Sequence, residues 1–211
     1  MNTDKTIAAA GAALNLVGVL AFSAAMLCNS LTVCYLASIF IAWGLVMMNA
    51  GFYRFRRDGS SVAAMCAVIF GGMYALCNTM VYFIQLSTVA NDTLSAQAMQ
   101  ILDYNSFGLM FNLDLLGYCL MACSTFFAGM TILKADRGDR WLSVLLMVHG
   151  VFAAGCFVMP MLGIFSAGMS GADWIGTAML EFWCAYFIPV GVLSIRYFRR
   201  QTSQKCEALQ Q

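Results

Sequence analysis

Apolar residues run along this chain in long blocks, and the polar residues between them come in short clusters. Six blocks stand out: Ile7–Cys28, Leu31–Tyr53, Ser61–Ala90, Ser106–Leu133, Trp141–Phe165 and Trp174–Phe198. A helix needs about 20 apolar residues to cross a hydrocarbon core of about 30 Å, so each block is long enough to span a bilayer. The breaks read "NS" at 29–30, "RFRRDGS" at 54–60, "NDTLSAQAMQILDYN" at 91–105, "KADRGDR" at 134–140 and "SAGMSGAD" at 166–173. The first break is slight, but Ile7–Tyr53 is too long for a single span. The pattern predicts an all-α, polytopic integral membrane protein: one domain of six transmembrane helices over residues 1–200, then a short polar tail over 201–211.

Composition sharpens this reading. The 211 residues are 62% hydrophobic and only 10% charged, with a mean hydropathy of +0.79. Globular chains average about 25% charged residues, so an ordinary soluble domain is excluded. Lys5 precedes the first block as in a signal peptide, and "AFSAA" at 21–25 resembles a cleavage site. The block is nevertheless much longer than the 7–15 residues or so of a signal core, and retention as a first span is expected.

Charge placement sets the orientation. The eleven Lys and Arg residues are Lys5, then Arg54, Arg56 and Arg57, then Lys134, Arg137 and Arg140, then Arg196, Arg199, Arg200 and Lys205. In a six-span topology all of them fall on one side. The positive-inside rule then puts both termini in the cytoplasm, and a cytoplasmic (inner) membrane of prokaryotic type is expected. On the opposite side only the 91–105 connection is long. There Asn91 or Asp92 is expected to cap a short helix with Leu94, Ala98 and Ile101 on one face, lying flat or folding over a cavity mouth like a lid.

Candidate chemistry lies in three ionisable residues inside the spans. Asp114 is about eight residues from the outer end of the fourth block and Glu181 about seven from that of the sixth. At about 1.5 Å per residue, both lie roughly 10–12 Å deep. His149 enters from the cytoplasmic side of the fifth block. Because these spans are consecutive, the three side chains are expected to meet in a polar pocket between the fourth, fifth and sixth helices. Tyr118 lies one turn below Asp114 on the same face. Asn112 adds a hydrogen-bonding amide, and Trp183, near Glu181, offers a ring face for a cation. A carboxylate in mid-membrane costs about 2.5–3.5 kcal/mol even on the lenient scale, and no Lys or Arg occupies the central part of any span. The acids must therefore be protonated, share charge with His149, or meet a proton or cation.

The leading expectation is binding or transport of a small solute, with the acids as proton or cation sites and His149 as a relay. An intramembrane enzyme using Asp, Glu and His on a lipid-soluble substrate is the first alternative. A non-catalytic membrane partner or sensor subunit is the second. No protease, hydrolase or nucleotide-binding motif occurs. A single histidine excludes bis-histidine haem within one copy. No cofactor, metal or nucleic-acid partner is expected; the lipid bilayer is. Of the nine cysteines, Cys66, Cys77, Cys119, Cys123, Cys156 and Cys184 lie in apolar runs without zinc spacing. Cys28 and Cys34 flank a polar turn where a disulfide can be drawn.

Small residues four apart suggest helix-packing faces: Ala9 with Ala13, Gly71 with Ala75, Gly150 with Ala154, and Gly163 with Ala167 and Gly171. In size and in its six-helix topology with both ends inside, the chain resembles the substrate-capturing subunits of energy-coupling-factor vitamin transporters. The Ala8–Ala12 and Ala9–Ala13 spacing is similar to the docking face of those subunits. That resemblance implies a partner membrane subunit docked on helix 1 at Ala9 and Ala13.

Overall fold

The computed structural model describes residues 3–91, 93–164 and 174–207, whose regular structure is helical. Six helices are long and apolar enough to cross a membrane. Helix α1 (Thr3–Leu27) and helix α2 (Leu31–Arg54) form a hairpin. Its turn places Asn29 in the left-handed region, φ 53°. Asparagine tolerates that conformation better than most residues, so the slight break at 29–30 suffices to reverse the chain. Helix α3 (Ser61–Ile84) runs on as a π-helical turn, Gln85–Val89. The connection that follows contains the short helix α4 (Ala96–Leu102) and a 3₁₀ turn, Tyr104–Ser106. Helix α5 (Leu109–Thr131) is the fourth candidate span. Helices α6 (Arg137–His149) and α7 (Phe152–Met161) together make the fifth, and α8 (Trp174–Glu207) contains the sixth.

Three expectations need correcting, and one open pairing is decided. The fourth span begins at Leu109, not Ser106, because the chain first makes the 3₁₀ turn. Helix α4 is capped by Ser95, whose hydroxyl accepts the Ala98 N–H, and not by Asn91; Asp92 lies outside the described residues. Its packed residue is Leu102, while Ile101 faces out. The fifth span is not one helix. Its bonds shorten to i→i−3 where Gly150 meets Met147 and Val151 meets Val148. The bare Gly150 backbone lies so close to Phe126 that a methyl group there would sit 2.8 Å from its Cβ. Finally, Cys28 and Cys34 are both free. Cys34 is buried with its Sγ towards the Phe22 carbonyl, whereas Cys28 faces out, so no disulfide joins them.

The tightest packing is between α1 and α2. The buried face of α1 is Ala8, Gly11, Ala12, Asn15, Gly18, Val19, Phe22 and Ala25. A methyl group on Gly44 of α2 would sit 2.6 Å from the Asn15 nitrogen and 2.8 Å from the Gly11 carbonyl oxygen. Small residues let backbones approach this closely, which is how helices associate when burial in lipid gives no net drive. Asn15 donates to the Ile41 carbonyl across the pair. Ala9 and Ala13 flank this face half-buried. Gly71 lies against Asn49 and Ser124, tying α2, α3 and α5, and Asn49 donates to both Ser124 Oγ and the Ala67 carbonyl. Ala154 is exposed, and Ala167 and Gly171 lie outside the described residues.

Contacts gather the basic residues at one end of the bundle. Arg54 pairs with Asp4, the Arg57 N–H donates to the Thr131 carbonyl, and Arg196 and Arg200 pair with Asp136. Arg200 also reaches Asp139.

Candidate functional site

Asp114 lies in the second turn of α5, 1% exposed. With α5 starting at Leu109, it is about 7–8 Å along the helix, shallower than the sequence suggested. Its Oδ2 accepts hydrogen bonds from the hydroxyls of Tyr82 on α3, at 2.9 Å, and Tyr104 of the 3₁₀ turn, at 3.2 Å. Its Oδ1 is buried with no partner. Around it the tyrosines pack on one another. Tyr35 stacks on Tyr82 with ring centroids 5.3 Å apart, and Tyr104 lies edge-on to Tyr35 at 6.1 Å. Tyr118 adjoins Tyr82 and packs on Tyr74 at 6.1 Å.

The chain is built to hold Tyr104 there. Gln85, at the start of the π-helical turn, donates from Nε2 to the Leu102 carbonyl and accepts the Tyr104 N–H at Oε1. Inserted π turns recur at functional sites. Phe107, just past the 3₁₀ turn, has φ 52°, an unusual conformation for a bulky side chain. Its ring packs edge-on to Phe111 at 4.7 Å. Such strain persists only where surrounding structure imposes it, here by folding the connection back over Asp114. Burial first, and then the neighbouring Asp114 carboxyl, push the Tyr104 hydroxyl well above the usual tyrosine range, so it stays a donor.

A second unsatisfied group lies beside this cluster. Asn78 is fully buried, and neither its Oδ1 nor its Nδ2 has a partner. It sits one turn before Tyr82 on the same face of α3. Register across the interface is fixed by the Tyr82–Asp114 bond and by Cys77, whose Cβ would touch a methyl group on Gly117 at 3.4 Å. The interface therefore holds one carboxylate oxygen and an amide with hydrogen-bonding capacity to spare. Buried polar groups are nearly always paired, which makes these the exceptions of this interface.

His149, the last residue of α6, is held differently. Thr125 Oγ1 lies 2.8 Å from Nδ1, and Trp183 Nε1 donates to Nε2 at 3.2 Å. An indole N–H can only donate, so Nε2 is the acceptor. Thr125 gives its own hydrogen to the Ala122 carbonyl, so its oxygen accepts from Nδ1–H. Both ring nitrogens are thus engaged in the neutral tautomer, and a relay through His149 requires breaking one of these bonds. Phe152, Tyr186 and Phe187 enclose the ring.

Glu181 occupies a third place. Its Oε2 accepts from Ser23 Oγ of α1 at 2.5 Å, and its Oε1 is buried without a partner. Cys34 and Cys184 lie within its electrostatic reach. Trp183 does not share this environment, since residues two apart on a helix face different ways. Its ring stacks on Phe187 and meets Tyr118 edge-on. Asn112 is exposed on α5. Among the sequence-derived candidates, the structure joins His149 to Trp183 and Trp183 to Tyr118. Asp114 and Glu181 each have separate hydrogen-bond partners.

The residues of this cluster that are not among the sequence-derived candidates are Tyr35, Asn78, Tyr82, Gln85 and Tyr104. A signal was present. Tyr74, Asn78, Tyr82 and Gln85 follow one another at four, four and three residues, a polar stripe on one face of an otherwise apolar helix. Among the described residues no group of three or more His, Cys, Asp and Glu is arranged to hold a metal ion. The Asp114 cluster offers instead a lone carboxylate, hydroxyls and ring faces, a donor set for a proton or a singly charged cation. Compared with known proteins, the chain matches no family model, no curated protein and no solved structure.

Proposed function

We propose that this protein is a multi-pass protein of the cytoplasmic membrane, with both termini in the cytoplasm, that binds and passes on a small cationic solute at Asp114. The observation that carries the reading is the buried Asp114 carboxyl, with Oδ2 held by two tyrosine hydroxyls and Oδ1 unpartnered. An intramembrane carboxylate without a Lys or Arg partner marks an ion or substrate path by default. Tyrosine faces suit an ammonium-like or alkali cation, and the unpaired Asn78 amide supplies a further oxygen. The connection folded over Asp114 through Tyr104 and Gln85 is the element that would have to move for entry. The acid–base enzyme reading has weaker support, because its one histidine has both nitrogens engaged.

The test is a thermal-shift series on detergent-purified protein with lithium, sodium, potassium, ammonium and tetramethylammonium chlorides at matched ionic strength. At a hundred-fold excess over Kd a ligand adds about 2.7 kcal/mol, or roughly 5–10 °C for a chain of this size. One of these cations is expected to raise the melting temperature of the wild type and not of Asp114→Asn. Cation and proton compete for the same oxygen, so the shift should grow from pH 5 to pH 8. If no cation shifts the wild type and both proteins melt alike across that range, Asp114 is a strut and the proposal fails.

A further inference from the structure

At the basic end of the bundle, α5 stops at Thr131 and the chain leaves through Ile132 and Lys134 towards α6. The last carbonyls of a helix have no partner within it. Here Arg57, from the connection between α2 and α3, supplies two: its backbone N–H donates to the Thr131 carbonyl at 2.9 Å and its Nε to the Met130 carbonyl at 2.8 Å. The guanidinium is thereby held at the end of α5, and among the described residues its other donors have no partner. It lines a cavity of about 360 Å³ together with Lys134, Met130, Ile132 and Met147. That is within the usual range of ligand sites, about 300–1,000 Å³.

The lining combines two cations with apolar side chains and no acid. Among the described residues neither Arg57 nor Lys134 forms an ion pair, while the nearby acids are engaged elsewhere: Asp4 by Arg54, Asp136 by Arg196 and Arg200, Asp139 by Arg200. Asp58, next to Arg57 in sequence, forms no ion pair either. Phe126, one turn before Met130 on the same face of α5, is exposed. A doubly cationic mouth over an apolar strip matches a molecule with a phosphate at one end and hydrocarbon at the other.

We infer that this groove binds an anionic phospholipid, its phosphate between Arg57 and Lys134 and its acyl chain along Met130, Met147 and Phe126. Guanidinium matches phosphate geometry in a bidentate fork, and basic pockets at the cytoplasmic ends of membrane helices are suited to such headgroups. The inference rests on the membrane reading above, and it is independent of Asp114.

The full chain, purified in an uncharged detergent, is examined by native mass spectrometry and thermal shift with dioctanoyl phosphatidylglycerol, dioctanoyl phosphatidylcholine and glycerol phosphate. The wild type should retain phosphatidylglycerol in preference to phosphatidylcholine and be stabilised by it, with no response to glycerol phosphate. At about 1 kcal/mol per basic residue near a headgroup, losing both cations should weaken retention about thirtyfold. Arg57→Gln/Lys134→Gln is the variant for this. Lys134→Gln alone, at an exposed position with no hydrogen bond among the described residues, should give a smaller loss with an unchanged fold, and Arg140→Gln should give none. Equal retention by the double variant, or equal binding of the two lipids, overturns the inference. Stabilisation by glycerol phosphate to the same degree overturns it in favour of a soluble phosphate ligand. Flotation with phosphatidylcholine vesicles separates the two levels: failure to float removes the membrane reading and this inference together, whereas flotation with equal retention removes this inference alone.

Discussion

At the scale of single residues, the energetics turn on whether buried polar atoms are paired. Trp183→Phe leaves His149 Nε2 without its donor, which should cost about 1–3 kcal/mol and lower the melting temperature by several degrees. Adding His149→Phe removes both ends of the bond, so the double variant should recover part of that loss in a double-mutant cycle of melting temperatures. No recovery would mean that the ring, not the bond, matters. Two glycines in similar helical positions should behave oppositely. A methyl group at Gly44 meets α1 backbone within 3 Å, so Gly44→Ala should separate α1 from α2 and destabilise by about 1–3 kcal/mol. At exposed Gly72 nothing lies within 4 Å, and Gly72→Ala should stabilise α3 by up to about 1 kcal/mol.

At the scale of elements, the ends of helices matter most. Helix α6 opens with a capping box, in which Asp136 accepts the Asp139 N–H and Asp139 accepts the Asp136 N–H. Arg196 and Arg200 of α8 clamp the same carboxylate. The Asp139 N–H first, and then Arg200 and Arg196, hold the Asp136 carboxyl below the usual carboxylate range. A depressed value means this clamp is complete above the ordinary 3.8 and is lost as pH falls below it. Melting curves from pH 3 to 7 should show wild type losing more stability on acidification than Asp136→Asn. Parallel curves would mean that the clamp does not couple α6 to α8. The connection before α5 is the other decisive element. Block lengths made the fourth span start at Ser106, because Ser106, Phe107 and Gly108 are all compatible with an apolar helix. Only the return of Tyr104 to Asp114, with Phe107 in the left-handed region, moves the start to Leu109.

At the scale of the whole molecule, the proposed topology makes a direct prediction. Reporter domains fused at the N-terminus and after Arg200 should be active only as cytoplasmic fusions, and an insertion at 93–95 only as an external one. Scrambled reporter signals would show that fewer than six helices cross. Basic residues of the stretches at 54–57, 134–140 and 196–200 lie near one another at one end of the bundle, as their spacing in the sequence suggested. The lipid groove was not legible there, since Arg57 and Lys134 become neighbours only where α5 ends.

The chain's apolar blocks by themselves determined the number and approximate length of the six candidate spans, because a span must satisfy its backbone internally over a fixed thickness. They also determined which residues are chemically unusual: Asp114, His149 and Glu181 stand out in any apolar run. Tertiary structure decided what each of them faces. Depth along a helix is readable from residue count, but azimuth relative to neighbours depends on which helices pack and at what register. Asp114 turns to tyrosines of α3 and the folded connection, His149 to Thr125 and Trp183, and Glu181 to Ser23. Three groups placed by the sequence thus occupy three environments, because the register of α5, α6 and α8 is set by close contacts such as Gly129 against Met147 and Gly191 against Leu16, which no one-dimensional pattern specifies.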